Sequence, residues 1–152
     1  YPIQIPTKIV MHYGNPLAKH QILTPELLRN ENFILMGPDH TTQRQLFQAF
    51  EQEEVKLKSS INSHLFKNLL SFVKEDMGVA LVDDFAIEND FDPRFISRHF
   101  APKIYTDMAI ITSNTRPLSQ LANEFLQLLQ QKSIYLAHVL ESTQTTGSAI
   151  PS

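Results

Sequence analysis

The stretch Ser63 to Asp84, SHLFKNLLSFVKEDMGVALVDD, decides the fold class of this chain. Its first half spaces Leu65, Leu69 and Phe72 or Val73 at helical intervals. That spacing predicts a helix with one apolar face from Ser63 to Lys74. Its second half, Val79-Ala80-Leu81-Val82, is unbroken and apolar, as a strand covered on both faces must be. Gly78 separates the two. A helix that feeds a buried strand through a short turn is half of a βαβ unit, and in such sheets ligands bind at the carboxyl ends of the strands, where helices begin. Asn62, Ser63 and His64, just before the helix, are therefore the first candidates for a site.

Upstream, Val55 to Ser59 alternates apolar and polar residues and predicts a strand with one wet face. Thr41 to Glu54 predicts an amphipathic helix with Leu46, Phe47 and Phe50 on its apolar face. Phe33 to Met36 is a second apolar run, stopped by Gly37-Pro38. Leu23 to Leu28 reads as one helical turn, with Thr24 at the N-cap and Pro25 at the first helical position. Lys8 to His12 reads as the first strand, ended by Gly14-Asn15-Pro16.

Downstream, Asn89 to Pro93 is turn material and Ile96 to Phe100 a short strand. Tyr105 to Thr112 predicts a strand centred on Met108 to Ile111. From Pro117 a long helix places Leu118, Leu121, Ala122, Phe125, Leu128 and Leu129 on one side, a stripe that extends towards Leu136 and Leu140. Residues 141–152, rich in Ser and Thr, read as a flexible tail. The alternation of strands and helices predicts an α/β fold, a mostly parallel sheet with flanking helices. The last helix finds no partner for its apolar face, which is expected to pack outside this chain or on the first strand.

Composition narrows the function. The chain has 152 residues, 42% of them hydrophobic and 19% charged, with a net charge of −3. It can build a core, and it offers no basic stripe to nucleic acid. The absence of cysteine excludes disulfides, thiolate chemistry and cysteine zinc sites. No apolar run reaches the length of a membrane span. The first residues, YPIQIP, lack the layout of a signal peptide and begin with Tyr rather than Met, so a portion of a longer chain is expected. The six histidines, at 12, 20, 40, 64, 99 and 138, show no metal-ligand spacing, and no nucleophile elbow is present. No metal, cofactor or catalytic residue is expected. Asp83, Asp84, Glu88, Asp90 and Asp92 lack the spacing of a calcium loop and read as a solvated acidic loop.

Asp39-His40-Thr41-Thr42 follows one apolar strand and opens a helix. Free N–H groups there can hold an anion, or Asp39 or a threonine can simply cap the helix. Parallel pairing would set this junction beside Asn62-Ser63-His64, so that His40 and His64 face one cleft. A cap is equally open for the second junction.

The ordered set Leu23-Thr24-Pro25-Glu26-Leu27, Phe33-Ile34-Leu35, the helix carrying Phe47 and Phe50, Phe72 to Val82, and Arg116-Pro117-Leu118-Ser119 with Phe125-Leu126 resembles the effector-binding domain of LysR-type transcriptional regulators. Asn15-Pro16-Leu17-Ala18 is similar to that family's His-Pro-Leu-Ala. The resemblance implies a two-lobed sensor of the periplasmic-binding-protein type II kind, here with an incomplete first lobe. Residues 1–12 would be a strand crossing from the first lobe, 13–103 the effector-binding second lobe, 104–113 the returning strand, and 114–140 a helix packed on the first lobe. It further implies effector contacts by Thr41, Thr42, Asn62, Ser63 and His64; together with His40, which parallel pairing sets on the same cleft, these are the residues expected to bind a small anionic effector. The expected setting is a cytoplasmic dimer or tetramer that meets DNA only through a domain absent from this chain, with no membrane contact. A solute-binding lobe of a transport system shares the architecture and is the alternative. Asp76 departs from the family's usual glycine at a left-handed helix cap, a conformation that Asp tolerates at some cost.

Overall fold

The computed structural model describes residues 2–90 and 92–132. The expected continuation of the last helix through Leu136 and Leu140, and the tail 141–152, lie outside them. The described residues fall into two units: 6–106, and a second made of 2–5 with 107–132.

In the larger unit, residues 7–12 of strand β1 (Pro2–His12) run between β5 (Ala80–Asp83) and β6 (Phe95–Phe100), antiparallel to both. The short β2 (Ile22–Leu23) pairs with β6 in parallel. Strands β3 (Asn32–Met36) and β4 (Lys58–Ser63) form a parallel pair. A parallel bridge between Phe33 and Val79 ties β3 to the entrance of β5. There Ile34 N–H donates to the Val79 carbonyl at 2.8 Å, and Val79 N–H to the Asn32 carbonyl at 2.9 Å. Strands β2 to β6 thus share one direction and β1 alone opposes them, which is the mostly parallel arrangement that the strand–helix alternation predicts.

Side-chain alternation explains why the strands read as continuous apolar runs. Ile9, Met11, Phe33 and Leu35 pack with Leu46, Ala49 and Phe50 of α1 (Thr41–Gln52). Val10, Ile34, Met36, Ala80 and Val82 pack with Leu69, Leu70 and Val73 of α2 (Phe66–Lys74). The two helices therefore cover opposite faces, and the rings of Phe33 and Phe50 meet edge to face at 5.5 Å.

Several boundaries differ from expectation. β4 begins at Lys58 rather than Val55, because buried Val55 is held by its N–H on the Phe50 carbonyl as α1 unwinds. Its register slips between Phe33 and Ile34, where Ser59 and Ile61 are consecutive partners and Ser60 is the extra residue of a bulge. α2 starts at Phe66, which leaves Leu65 outside the helix and exposed. On α1, Ala49 and Gln43 are buried and Phe47 is exposed. The turn at 25–28 is real: Leu28 N–H reaches the Thr24 carbonyl, and Leu27 N–H reaches Thr24 Oγ1. Asp76 has φ of 57°, the left-handed conformation expected of it.

The acidic run is not a solvated loop. It folds into α3 (Asp84–Asn89), capped by Asp83, whose carboxylate accepts from Ala86 N–H at 2.9 Å. Asp84 is buried, 3.1 Å from Lys8 Nζ. Lys74 Nζ lies 2.9 Å from Asp90 and 3.7 Å from Asp92. Arg94 grips Asp92 at 2.9 Å and holds its carboxyl well below the usual carboxylate range. The acids are consumed by ion pairs and caps that sequence spacing cannot display; Glu88 alone among the five stays in solvent.

β7 (Tyr105–Ala109), which begins in the larger unit and ends in the smaller, is shorter than the expected strand, and Met108 and Ile111 are exposed. Residues 120–132 are helical. Ser119 opens that helix: its Oγ accepts from Ala122 N–H and its carbonyl from Asn123 N–H. Leu121 is 76% exposed, Phe125 62% and Leu128 61%, so the apolar stripe is left uncovered.

Candidate functional site

β3 and β4 place two junctions side by side. Met36, the last residue of β3, is the register partner of Ser63, the last of β4. Each strand then turns into a helix: Gly37 to His40 leads into α1, and His64 with Leu65 into α2. The sequence-derived candidates His40, Thr41, Thr42, Asn62, Ser63 and His64 all fall on this one rim.

Neither helix is capped by a side chain. His40 holds the N-cap position of α1 in an extended conformation, and its imidazole makes no capping bond. The expected caps, Asp39 and the threonines, do not form, because Thr41 is already helical. The His40 carbonyl takes Gln43 N–H and Arg44 N–H at 3.1 and 3.3 Å. Among the described residues, nothing accepts from Thr41 N–H or Thr42 N–H. At α2, Leu65 holds the cap position without a capping bond and receives Asn68 N–H and Leu69 N–H. Phe66 N–H and Lys67 N–H are likewise left without an acceptor among the described residues. Two positive helix ends with free donors thus lie at one edge of the sheet.

The histidines bind the junctions to each other. The His40 ring stands edge-on to the Phe66 ring at 6.0 Å. His64 lies over Gly37, where an added Cβ would come within 3.1 Å of its Nδ1. Each imidazole therefore reaches the opposite junction. The remaining candidates divide by strand alternation. Ser63 is buried, and its hydroxyl is spent locally, accepting from Leu65 N–H at 3.2 Å and donating to the Leu65 carbonyl at 3.1 Å. Asn62 and His64 are exposed.

One residue of this rim escapes the sequence reading. Gln43, in the first turn of α1, is buried, and its Oε1 accepts from Met36 N–H at 3.3 Å. An amide three residues after the cap position is the available signal, the second half of a capping box. Here it turns to the strand instead of the cap. Among the described residues no group of three or more metal-ligating side chains converges.

The profile described as "LysR substrate binding domain" matches residues 4–133. The chain belongs to the LysR substrate-binding-domain family. It is 25% identical over 121 residues to the transcriptional activator protein LysR of Escherichia coli (strain K12), a match that takes in 80% of this chain and 39% of that protein. The chain therefore spans about two fifths of that curated relative's length. Among solved structures, the effector-binding domain of QuiR in complex with shikimate superposes with a TM-score of 0.68 at 11% identity, covering 88% of this chain and 63% of that one. The regulatory domain of CcmR of Synechocystis PCC6803 in complex with 2-PG gives 0.68 at 14% identity, covering 86% and 64%. At these identities the superpositions establish the fold, that of LysR-family effector-binding domains. No helix among the described residues is long and apolar enough to cross a membrane.

Proposed function

We propose that this chain senses a small anionic effector as part of a LysR-type transcriptional regulator, with the rim at 40–42 and 62–64 as its share of the binding site. The observation that carries this reading is the pair of uncapped helix N-termini, whose four N–H groups lack acceptors among the described residues. Such ends complement carboxylate or phosphate oxygens. Shikimate, found with one structural relative, is a carboxylate, and 2-PG, found with another, carries a phosphate and a carboxylate. His40 and His64 flank these donors and can give further hydrogen bonds to the same oxygens.

In this reading 13–103 is the effector-binding lobe, 1–12 and 104–113 are strands crossing to a first lobe, and 114–140 packs on that lobe. The exposed stripe of Leu121, Phe125 and Leu128 supports the last assignment, since soluble surfaces seldom present such a row unless something covers it. The mechanism is non-covalent. An effector that contacts two arrangements of the regulator unequally shifts their populations, and DNA-binding heads outside this chain report the shift. The regulator works as a cytoplasmic homo-oligomer, and catalysis has no part in it.

The test is calorimetric titration of the chain with shikimate, with 2-phosphoglycolate and with an uncharged amide analogue. Both anions should bind and raise the melting temperature, by about 2.7 kcal/mol of stability at a hundredfold excess over the dissociation constant. The amide should do neither. Equal effects of amide and anion, or no binding of any carboxylate or phosphate, would sink the reading.

A further inference from the structure

Gln43 carries an unmet hydrogen-bond demand in the middle of this rim. The residue is 7% exposed, and its Nε2 has no partner among the described residues. Its orientation is fixed by chemistry. Met36 N–H is a donor, so only Oε1 can face it, and flipping the amide would oppose two donors. The NH2 group is therefore turned away from Met36 N–H, on a residue in the same helical turn as Thr41 and Thr42 with their free N–H groups. A buried donor left unpaired costs about 1–3 kcal/mol, and a fold keeps such a cost where the donor is used. Side chains on a helix lean towards its N-terminus, so the buried Gln43 amide belongs to the Thr41–Thr42 end of α1.

We infer that Gln43 is a specificity-determining residue of the effector site: its Nε2 donates to an oxygen of the bound anion, beside the Thr41 and Thr42 N–H groups. The inference rests on the anion-site reading above and adds the donor that would distinguish a carboxylate or phosphate seated deep on α1 from one held loosely at the surface. An acceptor alone would serve Met36 N–H; the amide brings a donor as well.

The experiment uses the full 152-residue chain, labelled with 15N and titrated with inorganic phosphate against chloride at matched ionic strength. The expected result is that the Gln43 side-chain NH2 signals move with the same dissociation constant as the Thr41 and Thr42 N–H signals. Gln43→Glu keeps an oxygen for Met36 N–H but replaces the donor with negative charge, so phosphate affinity should fall about tenfold or more. Gln43→Met keeps the volume without the donor and should also weaken phosphate, by less. Signals from Leu69 and Val73, buried on the opposite face, report that each variant is folded. Phosphate that moves Thr41 and Thr42 but leaves the Gln43 NH2 unmoved, with both variants binding as before, overturns the inference and leaves the anion site standing. Phosphate that moves none of these signals overturns both.

Discussion

Asp76 and Gly78 show how single residues set the turn between α2 and β5. Asp76 sits at φ of 57°, a conformation costly to a residue with a Cβ. Asp76→Gly should therefore stabilise the chain by about 0.5–1 kcal/mol in urea unfolding. Gly78 has the opposite constraint. A Cβ there would collide with the Asn32 carbonyl oxygen, which already accepts from Val79 N–H and cannot retreat without losing that bond. Gly78→Ala should cost about 2–4 kcal/mol by the same assay. Asp84 gives a pH signature. Burial raises its carboxyl above the usual carboxylate range and outweighs the ion pair with Lys8. A raised folded value means that the folded state holds this proton more tightly. Its contribution is thus full below about pH 4, the unfolded carboxylate value, and is lost as pH rises through the folded value. Asp84→Asn should remove that loss, so the stability of the variant relative to the parent should increase from pH 4 to pH 7 in parallel denaturation curves.

Elements were legible wherever one period dominated. The run at 33–36 and the helices around Leu46 and Leu69 follow from spacing alone, because burial on one or both faces imposes it. α3 was not legible. Its sequence, DFAIEN, carries acids that spacing assigns to solvent, whereas Asp83 caps the first turn and Asp84 is buried against a lysine on β1. The ion pairs of Asp90 and Asp92 with Lys74 escaped for the same reason: they depend on which segments meet. For the site, the sequence marked the strand-to-helix junctions, but not that their caps go unmade. That fact turns on His40 rather than Thr41 holding the N-cap position. It has a measurable consequence. His40→Asp supplies the missing cap and should raise stability by about 1 kcal/mol. The same carboxylate occupies the free N–H groups and repels anions, so phosphate-induced thermal stabilisation should vanish. A variant that is more stable and still responds to phosphate would separate the rim from anion binding.

At the scale of the whole molecule, the uncovered stripe of residues 120–132 is the main departure from a self-contained fold. Phe125 is mostly in water, so Phe125→Ser in this chain should change its stability by less than about 0.5 kcal/mol, while reducing its tendency to self-associate in sedimentation. A loss of several kcal/mol would mean that the ring is already packed. The sequence reading reached this feature because apolar spacing from Leu118 to Leu129 needs no partner to be visible. It could not say which of strands β1 to β6 opposes the others. That depends on β1 lying between β5 and β6, a long-range pairing without local signal.

The extra residue in β4 bears on how this lineage can change length. Ser60 is skipped by the ladder, while Ser59 and Ile61 keep consecutive partners on β3. Deleting it would straighten the strand and leave Met36 opposite Ser63. Deleting Ile61 instead would bring Ser60 opposite Ile34 and strip away a side chain that packs against the core of Val10, Ile34 and Leu69. A shorter descendant can therefore lose a serine here at little expense to either helix entrance, whereas a gap one position later would hollow the layer beneath them.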